Sequence, residues 1–424
     1  MSLSRRFVLS CLGALALTAC TGSETPSTPA DAPAANTILI GEYGSLTGSE
    51  ATFGQSTHNG LMLAIEQINA AGGLNGKQIE VKTYDDQGKT QEAGTAVTRL
   101  VTDDKVVAII GEVASSLSLA GGRVAQQYGV PMISPSSTNP TVTQVGDMIF
   151  RVCFVDSFQG FVVAKFARED LKAQKVAVLY DQGQAYSTGL KDDFVREFTA
   201  AGGTLAGEPQ AYTGGDIDFS AQLTTIRDLQ PDAIFLPGYY TDVANIALQG
   251  KKLGIKAPLL GGDGWDSSEL AKIAGDSIEG AYYANHYSHE EQRPAVQNFV
   301  KSYQDKYKET PDGLAALGYD AGMLLFDAMK RSPSLGGKDL AAAIAGTKDF
   351  VGVTGTISID AERNATKPAV IVQMRGGKPG YQSTVMPRGA TPVEMAPLVP
   401  APAPAEMAPL TPAPEMAPLV PAPG

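Results

Sequence analysis

The chain has 424 residues and a formal net charge of −12, with 43% hydrophobic and 18% charged residues. This composition is typical of a globular protein, and the acidic balance without a basic stripe argues against nucleic-acid binding. A central body of about 350 residues predicts two domains, and no run within it approaches the length of a membrane span.

Residues 1–19 have the features of an export signal. Arg5 and Arg6 form a basic start, and an apolar run at 7–17 is too short for a stable membrane-spanning helix. The run closes on "LTAC", which resembles a bacterial lipoprotein processing site, so we expect Cys20 to become the lipidated N-terminus. An ordinary secretory signal cleaved nearby is the alternative, and "SRR" also bears a faint likeness to a twin-arginine signal.

Low-complexity segments flank the body at both ends. Residues 20–36 begin with the predicted lipidated Cys20 and continue as a Pro-, Ala-, Ser- and Thr-rich stretch, which predicts a flexible tether. Residues 389–424 repeat "EMAPL" with proline and alanine, which predicts an extended, disordered tail because proline fixes φ and removes N–H donors. The tail could be a spacer, a ligand for a groove or a neutral appendage.

The first half of the body alternates strand-like and helical segments. The strand-like runs are "ILIGEY", "IEVKTYD", "VVAIIGE" and "PMISP", and their nearly continuous apolar character favours parallel strands covered on both faces. Between the first two lies an amphipathic segment in which Leu61, Ala64, Ile65 and Ile68 share one face and two glycines end the helix. This pattern predicts a parallel sheet with right-handed helical crossovers.

The same plan restarts after Asp156. Strand-like runs "KVAVLYD", "TLAGEPQAY", "DAIFLPGY" and "APLLGGDG" again alternate with helices, and "GAYYANHY" leads into helical segments at 290–308 and 312–331. "VTGTISID" and "AVIVQMRGGK" close the body as strands. The fold class is therefore α/β, with two doubly wound lobes and ligand chemistry at the carboxyl ends of the strands.

Motifs of enzymes and metal sites are weak. "DQGKT" lacks the first glycine of a phosphate loop, and no serine occupies a nucleophile elbow. His286 and His289 are three residues apart beside two glutamates, but an exposed polar turn is favoured over a weak metal site. Cys153, in "FRVCFV", is expected in the core. With no base poised near a nucleophile, we expect neither an enzyme nor a cofactor.

Polar residues follow strands in both lobes. Ser115 and Ser116 begin a helix after one strand, and Thr138 follows the next, so hydroxyls and free N–H groups lie side by side and form a cup for a small anion. Capping of the helix by Ser115 or Ser116 is the alternative. In the second lobe Asp263 follows a strand among glycines, where a carboxylate would attract a cation; an aspartate that only forms the turn is the alternative.

Aromatic residues also follow strands. Phe53 belongs to the first lobe, and Tyr186 and Tyr239 belong to the second. Each alone is more often a packing residue, but together they predict the walls of a mostly apolar pocket with few polar anchors.

These features together resemble the branched-chain (Leu/Ile/Val) amino-acid binding proteins of bacterial ABC transporters, in the type I periplasmic binding fold. The resemblance covers residues 38–385, and its marks are "GSLTG", "NAAGGLNGKQIEV", "YDD", "IIGEVASS", "ISPSSTNP", "YSTGL", "GYYTDV", "GGDG" and "IAGDSIEG". It implies two lobes joined by a three-stranded hinge, with crossings near 155–156, 284–286 and 353–356. The lobes would comprise 37–155 with 286–352, and 156–285 with 353–388.

The resemblance also implies roles for single residues. Ser115 and Thr138 match donors to the ligand's α-carboxylate, the carbonyl of Ser136 matches an acceptor from its α-ammonium, and Asp263 stands where a glutamate pairs with that ammonium. Independently of the resemblance, Trp265 lies two residues beyond Asp263 on the same loop and is expected at the cleft edge, with packing beneath the loop as the alternative. Six residues match the walls of the side-chain pocket: Phe53, Val113, Ala114, Tyr186, Tyr239 and Leu314. The founding members' disulfide has Gly88 and Ala114 at its two positions, so the bridge is absent.

The sequence thus predicts a monomeric, lipid-anchored solute-binding protein of the cell envelope, facing the periplasm. It would capture an amino acid, with an aliphatic one favoured, and deliver it to an ABC permease without metal or cofactor. Because Asp263 is one methylene shorter than glutamate and the Ser136 region is more polar than in Leu/Ile/Val binders, a related amide, urea or aromatic acid stays open. A ligand-sensing receptor partner of the same fold is the other alternative.

Overall fold

The computed structural model describes residues 36–388. The predicted signal peptide at 1–19, Cys20 with its tether, and the tail at 389–424 lie outside the described residues. Within residues 36–388, no helix has the length and apolar character needed to cross a bilayer.

The first unit is built on a five-stranded parallel sheet with the strand order β2-β1-β3-β4-β5. Its strands are β1 (Thr37–Gly44), β2 (Gln78–Asp85), β3 (Ile109–Ile110), β4 (Met132–Ser134) and β5 (Ile149–Arg151). The connecting helices are α1 (Ala51–Ala70), α2 (Thr90–Thr102), α3 (Ser115–Tyr128) and α4 (Thr141–Gln144). The central strands are almost wholly buried, because helices cover both faces of a parallel sheet.

The second unit repeats this plan. Its first strands are β6 (Lys175–Asp181), β7 (Thr204–Leu205), β8 (Gln210–Tyr212), β9 (Ala233–Phe235), β10 (Leu259–Gly261) and β11 (Tyr282–Asn285). Its helices are α5 (Asp156–Glu169), α6 (Ala185–Ala200), α7 (Ser220–Leu229), α8 (Tyr240–Lys252) and α9 (Ser268–Ala274). A short 3-10 turn, Asp263–Trp265, follows β10.

The chain then returns to the first unit through three helices, α10 (Pro294–Tyr307), α11 (Gly313–Arg331) and α12 (Gly337–Ala345). Helix α11 packs closely on α1, and glycines make this approach possible. A methyl group on Gly60 would lie 1.9 Å from the carbonyl oxygen of Ala315, and one on Gly318 would lie 2.3 Å from that of Thr57. The predicted helical segments at 290–308 and 312–331 correspond to α10 and α11.

Three short strands, β12 (Phe350–Gly352), β13 (Gly355–Ile359) and β14 (Ala365–Thr366), form a small antiparallel sheet. The last strands, β15 (Ala369–Arg375) and β16 (Lys378–Val385), join the second unit antiparallel to β11. The complete second sheet has eight strands in the order β16-β15-β11-β10-β9-β6-β7, with β8 also paired to β6. The predicted α/β class with two parallel-sheet cores is confirmed.

The segment between β12 and β15 bonds to the first unit. The buried carboxylate of Asp320 on α11 accepts from the N–H groups of Val353 at 2.7 Å and Thr354 at 2.8 Å. Farther on, Asn364 accepts from the hydroxyl of Thr143 at 3.1 Å. The division of the chain between lobes remains a prediction, but these bonds fit a third crossing just before β15 better than one near 353–356.

Candidate functional site

The segment "ISPSSTNP", which begins in β4, divides its polar side chains between two roles. Ser134 and Ser137 donate to carbonyl oxygens of the loop after β3, at 2.9 Å and 2.8 Å, and fix the segment in place. Ser136 instead donates toward Asp263 Oδ2 of the second unit at 3.4 Å. The Thr138 hydroxyl is buried without a hydrogen bond of normal geometry. Two polar groups are therefore structural, and two face the other unit.

Arg151, at the end of β5, forms hydrogen bonds with the backbone of the same segment. Its fully buried guanidinium donates to the carbonyl oxygens of Ser137 at 2.5 Å and Asn139 at 2.8 Å. Burial lowers its pKa from the usual value. The sequence prediction missed this residue, although an arginine inside the apolar run "IFRVCFV" was a signal of a buried structural role. Cys153, two residues on, is in the core as predicted, and burial raises the pKa of its thiol to about 12.

The loop after β3 leads into α3, which begins at Ser115. Its N-cap is Ala114, so neither Ser115 nor the next serine caps the helix through a side chain. Ser115 Oγ accepts from the backbone N–H of Asn139 at 3.2 Å, so the two strand-end segments of the predicted anion cup lie side by side.

Asp263 opens the 3-10 turn after β10 and is 4% exposed. Its Oδ1 accepts from the side-chain amide of Gln159 at 2.8 Å, and its Oδ2 lies 2.9 Å from His286 Nε2. Together with the 3.4 Å contact to Ser136, these bonds place the carboxylate at the boundary between the two units. Neither Gln159 nor His286 was among the predicted site residues.

The structure contradicts the predicted exposure of His286. Together with His289 it was expected in an exposed polar turn, but His286 is 2% exposed and its ring stacks on Phe154, with centroids 3.8 Å apart. Burial lowers the pKa of the imidazole to about 4, although the bond with Asp263 opposes that shift. The physical reason is position: His286 directly follows β11, where strand ends from both units meet. Asp263 was selected because it follows a strand, and the same criterion would also have selected His286.

The predicted aromatic residues lie together. The rings of Tyr186 and Tyr239 stack with centroids 5.3 Å apart, and Phe53 of the first unit meets Tyr239 edge to face at 5.5 Å. The Tyr186 hydroxyl accepts from the N–H of Gly264 at 3.2 Å, beside Asp263, whereas the buried Tyr239 hydroxyl has no protein partner. The other predicted wall residues are buried at the ends of elements: Val113, Ala114 and Leu314.

Trp265 does not lie where it was expected. It is fully buried, its indole N–H donates to the carbonyl oxygen of Leu236 at 3.0 Å, and its ring packs on Tyr283 and against Gly261. The 3-10 turn directs residues 263 and 265 differently, so Asp263 reaches the other unit while Trp265 enters the core of its own.

The two units are closed on each other. Asn139 Nδ2 donates to the carbonyl oxygen of Ala185 at 2.7 Å, and the hydroxyls of Thr52 and Ser267 are 2.9 Å apart. The hydroxyl of Thr241 donates to a first-unit carbonyl oxygen at 2.7 Å. Such bonds can form only when the strand ends of both units face each other.

The boundary between the units also buries polar atoms without protein partners. They are Thr138 Oγ1, Gln159 Oε1, the Tyr239 hydroxyl and both carboxyl oxygens of Asp156. Burial raises the pKa of Asp156 well above its usual value, and the nearby Thr138 hydroxyl only partly opposes this. A neutral Asp156 beside the anion cup can donate a hydrogen bond and does not repel a carboxylate. Unpaired buried polar atoms are costly, so their presence at this boundary makes it the candidate site for a polar ligand.

A buried carboxyl pair supports the loop after β3. Glu112 accepts from both the N–H and the hydroxyl of Ser45 at 2.9 Å, and the same hydroxyl is 3.0 Å from Asp86. Burial raises the pKa of Glu112 to about 8 and that of Asp86 to about 6. The single hydroxyl hydrogen of Ser45 can bond only one of the two carboxyl groups. When the other carboxyl group is protonated, it donates to the Ser45 oxygen, and both groups are then hydrogen-bonded.

A separate cavity of about 270 Å³ lies elsewhere, between β11, the β15–β16 hairpin and the start of α11. None of the predicted ligand residues lines it. Its buried Asp266 and half-buried Asp312 accept hydrogen bonds from Tyr283, Gly313, Ser56 and Ala315. The unpaired polar atoms instead favour the boundary between the units as the candidate site.

Comparison with known proteins agrees with this geometry. The family model described as periplasmic binding protein matches residues 37–378. A "Leucine-, isoleucine-, valine-, threonine-, and alanine-binding protein" of Pseudomonas aeruginosa is 32% identical over 329 residues, covering 77% of this chain and 87% of the relative.

Two solved structures are similar in fold and sequence. A leucine-binding protein from Thermotoga maritima gives a TM-score of 0.80 at 38% identity, covering 83% of this chain and 99% of the other. A branched-chain amino-acid transporter substrate-binding protein from Streptococcus pneumoniae, solved in complex with isoleucine, gives 0.79 at 36% identity, covering 83% and 100%.

The closed pair of α/β units is the architecture of the type I periplasmic binding proteins, which are solute-binding proteins. The chain belongs to the periplasmic binding protein family. The resemblance to branched-chain amino-acid binding proteins of ABC transporters is thereby confirmed.

Proposed function

We propose that this protein is an extracytoplasmic solute-binding lipoprotein that captures an aliphatic amino acid between its two units and delivers it to an ABC permease. One observation carries the proposal. The buried carboxylate of Asp263 reaches the first unit at Ser136, two residues from Thr138 and its anion cup.

This arrangement suits a zwitterion. Hydroxyls and N–H groups at Ser115 and Thr138 would receive the α-carboxylate, close to the positive end of the α3 dipole. Asp263 would receive the α-ammonium, because a buried cation needs a paired carboxylate. A carboxylic acid that lacks an amino group would leave the carboxylate of Asp263 without a cationic partner.

The aromatic wall supports an apolar side chain. Phe53, Tyr186 and Tyr239 are buried, and the Tyr239 ring contacts both of the other rings; such walls favour hydrocarbon groups. The relatives named for leucine, isoleucine and valine support the same class of ligand. The unpaired Tyr239 hydroxyl would also admit a small polar group near the wall.

Calorimetric titration with a ligand panel tests the proposal. The panel is leucine, isoleucine, valine, alanine, threonine, acetamide, urea, benzoate and 4-methylpentanoate, with mass spectrometry of solute released from freshly purified protein as the second readout. We expect an aliphatic amino acid to bind most tightly. Tightest binding by an amide, a urea or benzoate would contradict the proposal.

Anchoring is tested through Cys20. Cys20→Ser should abolish lipidation and move the protein from the detergent phase to the aqueous phase, because the thiol is the acyl acceptor. Cys11→Ser is the matched control, since Cys11 lies in the apolar run of the export signal and should leave partitioning unchanged. Detergent partitioning of the Cys20 variant equal to wild type would refute the lipoprotein assignment.

The last part of the proposal is that the protein transfers its bound amino acid to a permease, and neither converts it chemically nor acts as a sensor of it. We propose a monomer that releases its amino acid unchanged to the permease. Deleting the gene should abolish high-affinity uptake of the best ligand, and incubation with purified protein should return that ligand intact. Normal uptake in the deletion strain would favour the sensing alternative, and chemical conversion would favour an enzyme.

A further inference from the structure

The carboxylate of Asp263 is held from two sides by residues of the second unit and the crossing. Gln159 Nε2 bonds Oδ1 at 2.8 Å and His286 Nε2 bonds Oδ2 at 2.9 Å. Gln159 and Asp263 are 104 residues apart in the chain. All three side chains are almost completely buried, so water cannot replace either donor.

Two donors leave this carboxylate with acceptor capacity for a ligand. An ionised carboxyl group has about four lone-pair positions, and the two N–H groups occupy one on each oxygen. An ammonium group brings three donors. The Ser136 hydroxyl at 3.4 Å is the weakest of the contacts and marks the side open to the first unit.

The rotation of the His286 ring is fixed by its surroundings. The ring stacks on Phe154 with centroids 3.8 Å apart and planes 23° apart. A carboxylate oxygen only accepts hydrogen bonds, so Nε2 is the nitrogen that carries the hydrogen toward Asp263, and Nδ1 has no protein partner. A neutral imidazole orients the carboxylate without adding a positive charge that would compete with a ligand cation.

We propose that Gln159 and His286 are positioning residues that orient Asp263 toward the ligand's α-ammonium, and that they thereby determine the preference for amino acids over acids that lack the amine. This inference rests on the proposed function and adds the residues that set its specificity. The side-chain torsions of Asp263 alone do not fix the direction of its carboxylate. Its orientation depends on the two buried donors.

The experiment compares two probes that share a carbon skeleton, L-leucine and 4-methylpentanoate, by calorimetry. In His286→Phe, which keeps an aromatic ring for Phe154 but removes the donor, the dissociation constant for leucine should rise about 10- to 100-fold. For 4-methylpentanoate it should change less than about threefold, because that probe makes no ammonium contact. Gln159→Leu should act in the same way.

Two further variants separate positioning from folding. His286→Gln supplies an N–H donor near the place of Nε2 and should restore most of the leucine affinity, whereas His289→Phe, a matched change three residues away, should change neither probe. Unfolding midpoints in urea identify any variant that has simply lost stability.

Each outcome bears on the proposal. Equal weakening of both probes in His286→Phe and Gln159→Leu, or unchanged leucine binding in both, would overturn it. Failure of the proposed function has a different signature, since it appears in the wild-type protein as absent amino-acid binding and removes the basis of this inference as well. Selective loss of leucine affinity, with rescue by His286→Gln, supports both the positioning role and the proposed function.

Discussion

The guanidinium of Arg151 donates to the carbonyl oxygen of Ser137 at 2.5 Å, beneath the segment that carries Ser136 and Thr138. The buried guanidinium donates to carbonyl oxygens of Ser137 and Asn139, which lie outside the strand pairing. The segment is therefore rigid because of a side chain on the neighbouring strand, and its own serines supply only part of its bonds.

Arg151→Met should remove these bonds and leave the carbonyl oxygens of Ser137 and Asn139 with one other donor each, Cys153 Sγ at 3.4 Å and the N–H of Val142 at 3.1 Å. Hydrogen bonds to a charged group contribute about 1.5–3 kcal/mol each, so we expect the free energy of unfolding to fall by about 3 kcal/mol or more. Urea denaturation measures this. Arg123→Met, at an exposed site on α3, is the control and should change the value by less than about 0.5 kcal/mol. Equal stability of the two variants would contradict the assigned role of Arg151.

Ser115→Ala combined with Thr138→Val should empty the anion cup of its hydroxyls. Two lost bonds to a charged carboxylate predict an increase of about 100-fold or more in the dissociation constant for the best amino acid. A double change on the exposed face of α7, Ser220→Ala with Thr225→Val, should leave binding unchanged. Wild-type affinity in the cup variant would show that "ISPSSTNP" does not hold the carboxylate.

Asp263→Ala should leave the ligand ammonium buried without a charge partner. Losing one side of such a pair costs about 2–5 kcal/mol, which corresponds to a loss of about 30-fold to several thousand-fold in affinity. Asp263→Asn should be nearly as harmful, because the amide keeps the shape but not the charge. The exposed Asp276→Asn is the control. Unchanged calorimetric affinity in Asp263→Ala would favour an uncharged or purely acidic ligand.

Glu112 should make stability depend on pH. Burial, together with the charge of Asp86, raises its pKa from the ordinary 4.5 to about 8. A carboxyl group with a raised folded-state pKa stabilises the protein fully below the unfolded pKa, and this contribution is lost as pH rises toward the folded pKa. The window is therefore about pH 4.5 to 8.

Glu112→Gln isolates this effect, because glutamine does not titrate. At pH 5.5 the variant should be less stable than wild type, since it loses an acceptor for Ala114 N–H. The difference in unfolding free energy should shrink as pH rises toward 8.5, because only the wild type must then bury a charge. A constant difference across this range would contradict the raised pKa of Glu112.

Trp265 is the chain's single tryptophan and should report unfolding rather than ligand binding. Because the ring is fully buried and its N–H is bonded to Leu236, we expect blue-shifted emission that shifts strongly to the red in urea. Adding an amino acid that binds by calorimetry should leave the emission maximum nearly unchanged. A saturable spectral shift would mean that ligand binding reorganises the core around β10.

The architecture and the polar residues at the strand ends could be predicted from local patterns in the amino-acid sequence. Apolar runs alternating with amphipathic segments are local patterns, so they predicted two α/β units, and the rule that ligands meet strand ends selected Ser115, Thr138 and Asp263. These residues were accessible to prediction because the carboxyl ends of parallel strands lie at one edge of the sheet.

The contacts between distant buried polar groups could not be predicted from the sequence and follow from the folded structure. Gln159 reaches Asp263 across 104 residues, and Arg151 bonds to a segment on a different strand, so no local pattern encodes either contact. The same holds for Trp265, whose direction depends on a 3-10 turn, and for His286, whose burial depends on Phe154 packing over it. Hydrophobic periodicity specifies which face of an element is buried, but the partner of a buried polar side chain is fixed only when the crossings bring distant strand ends together.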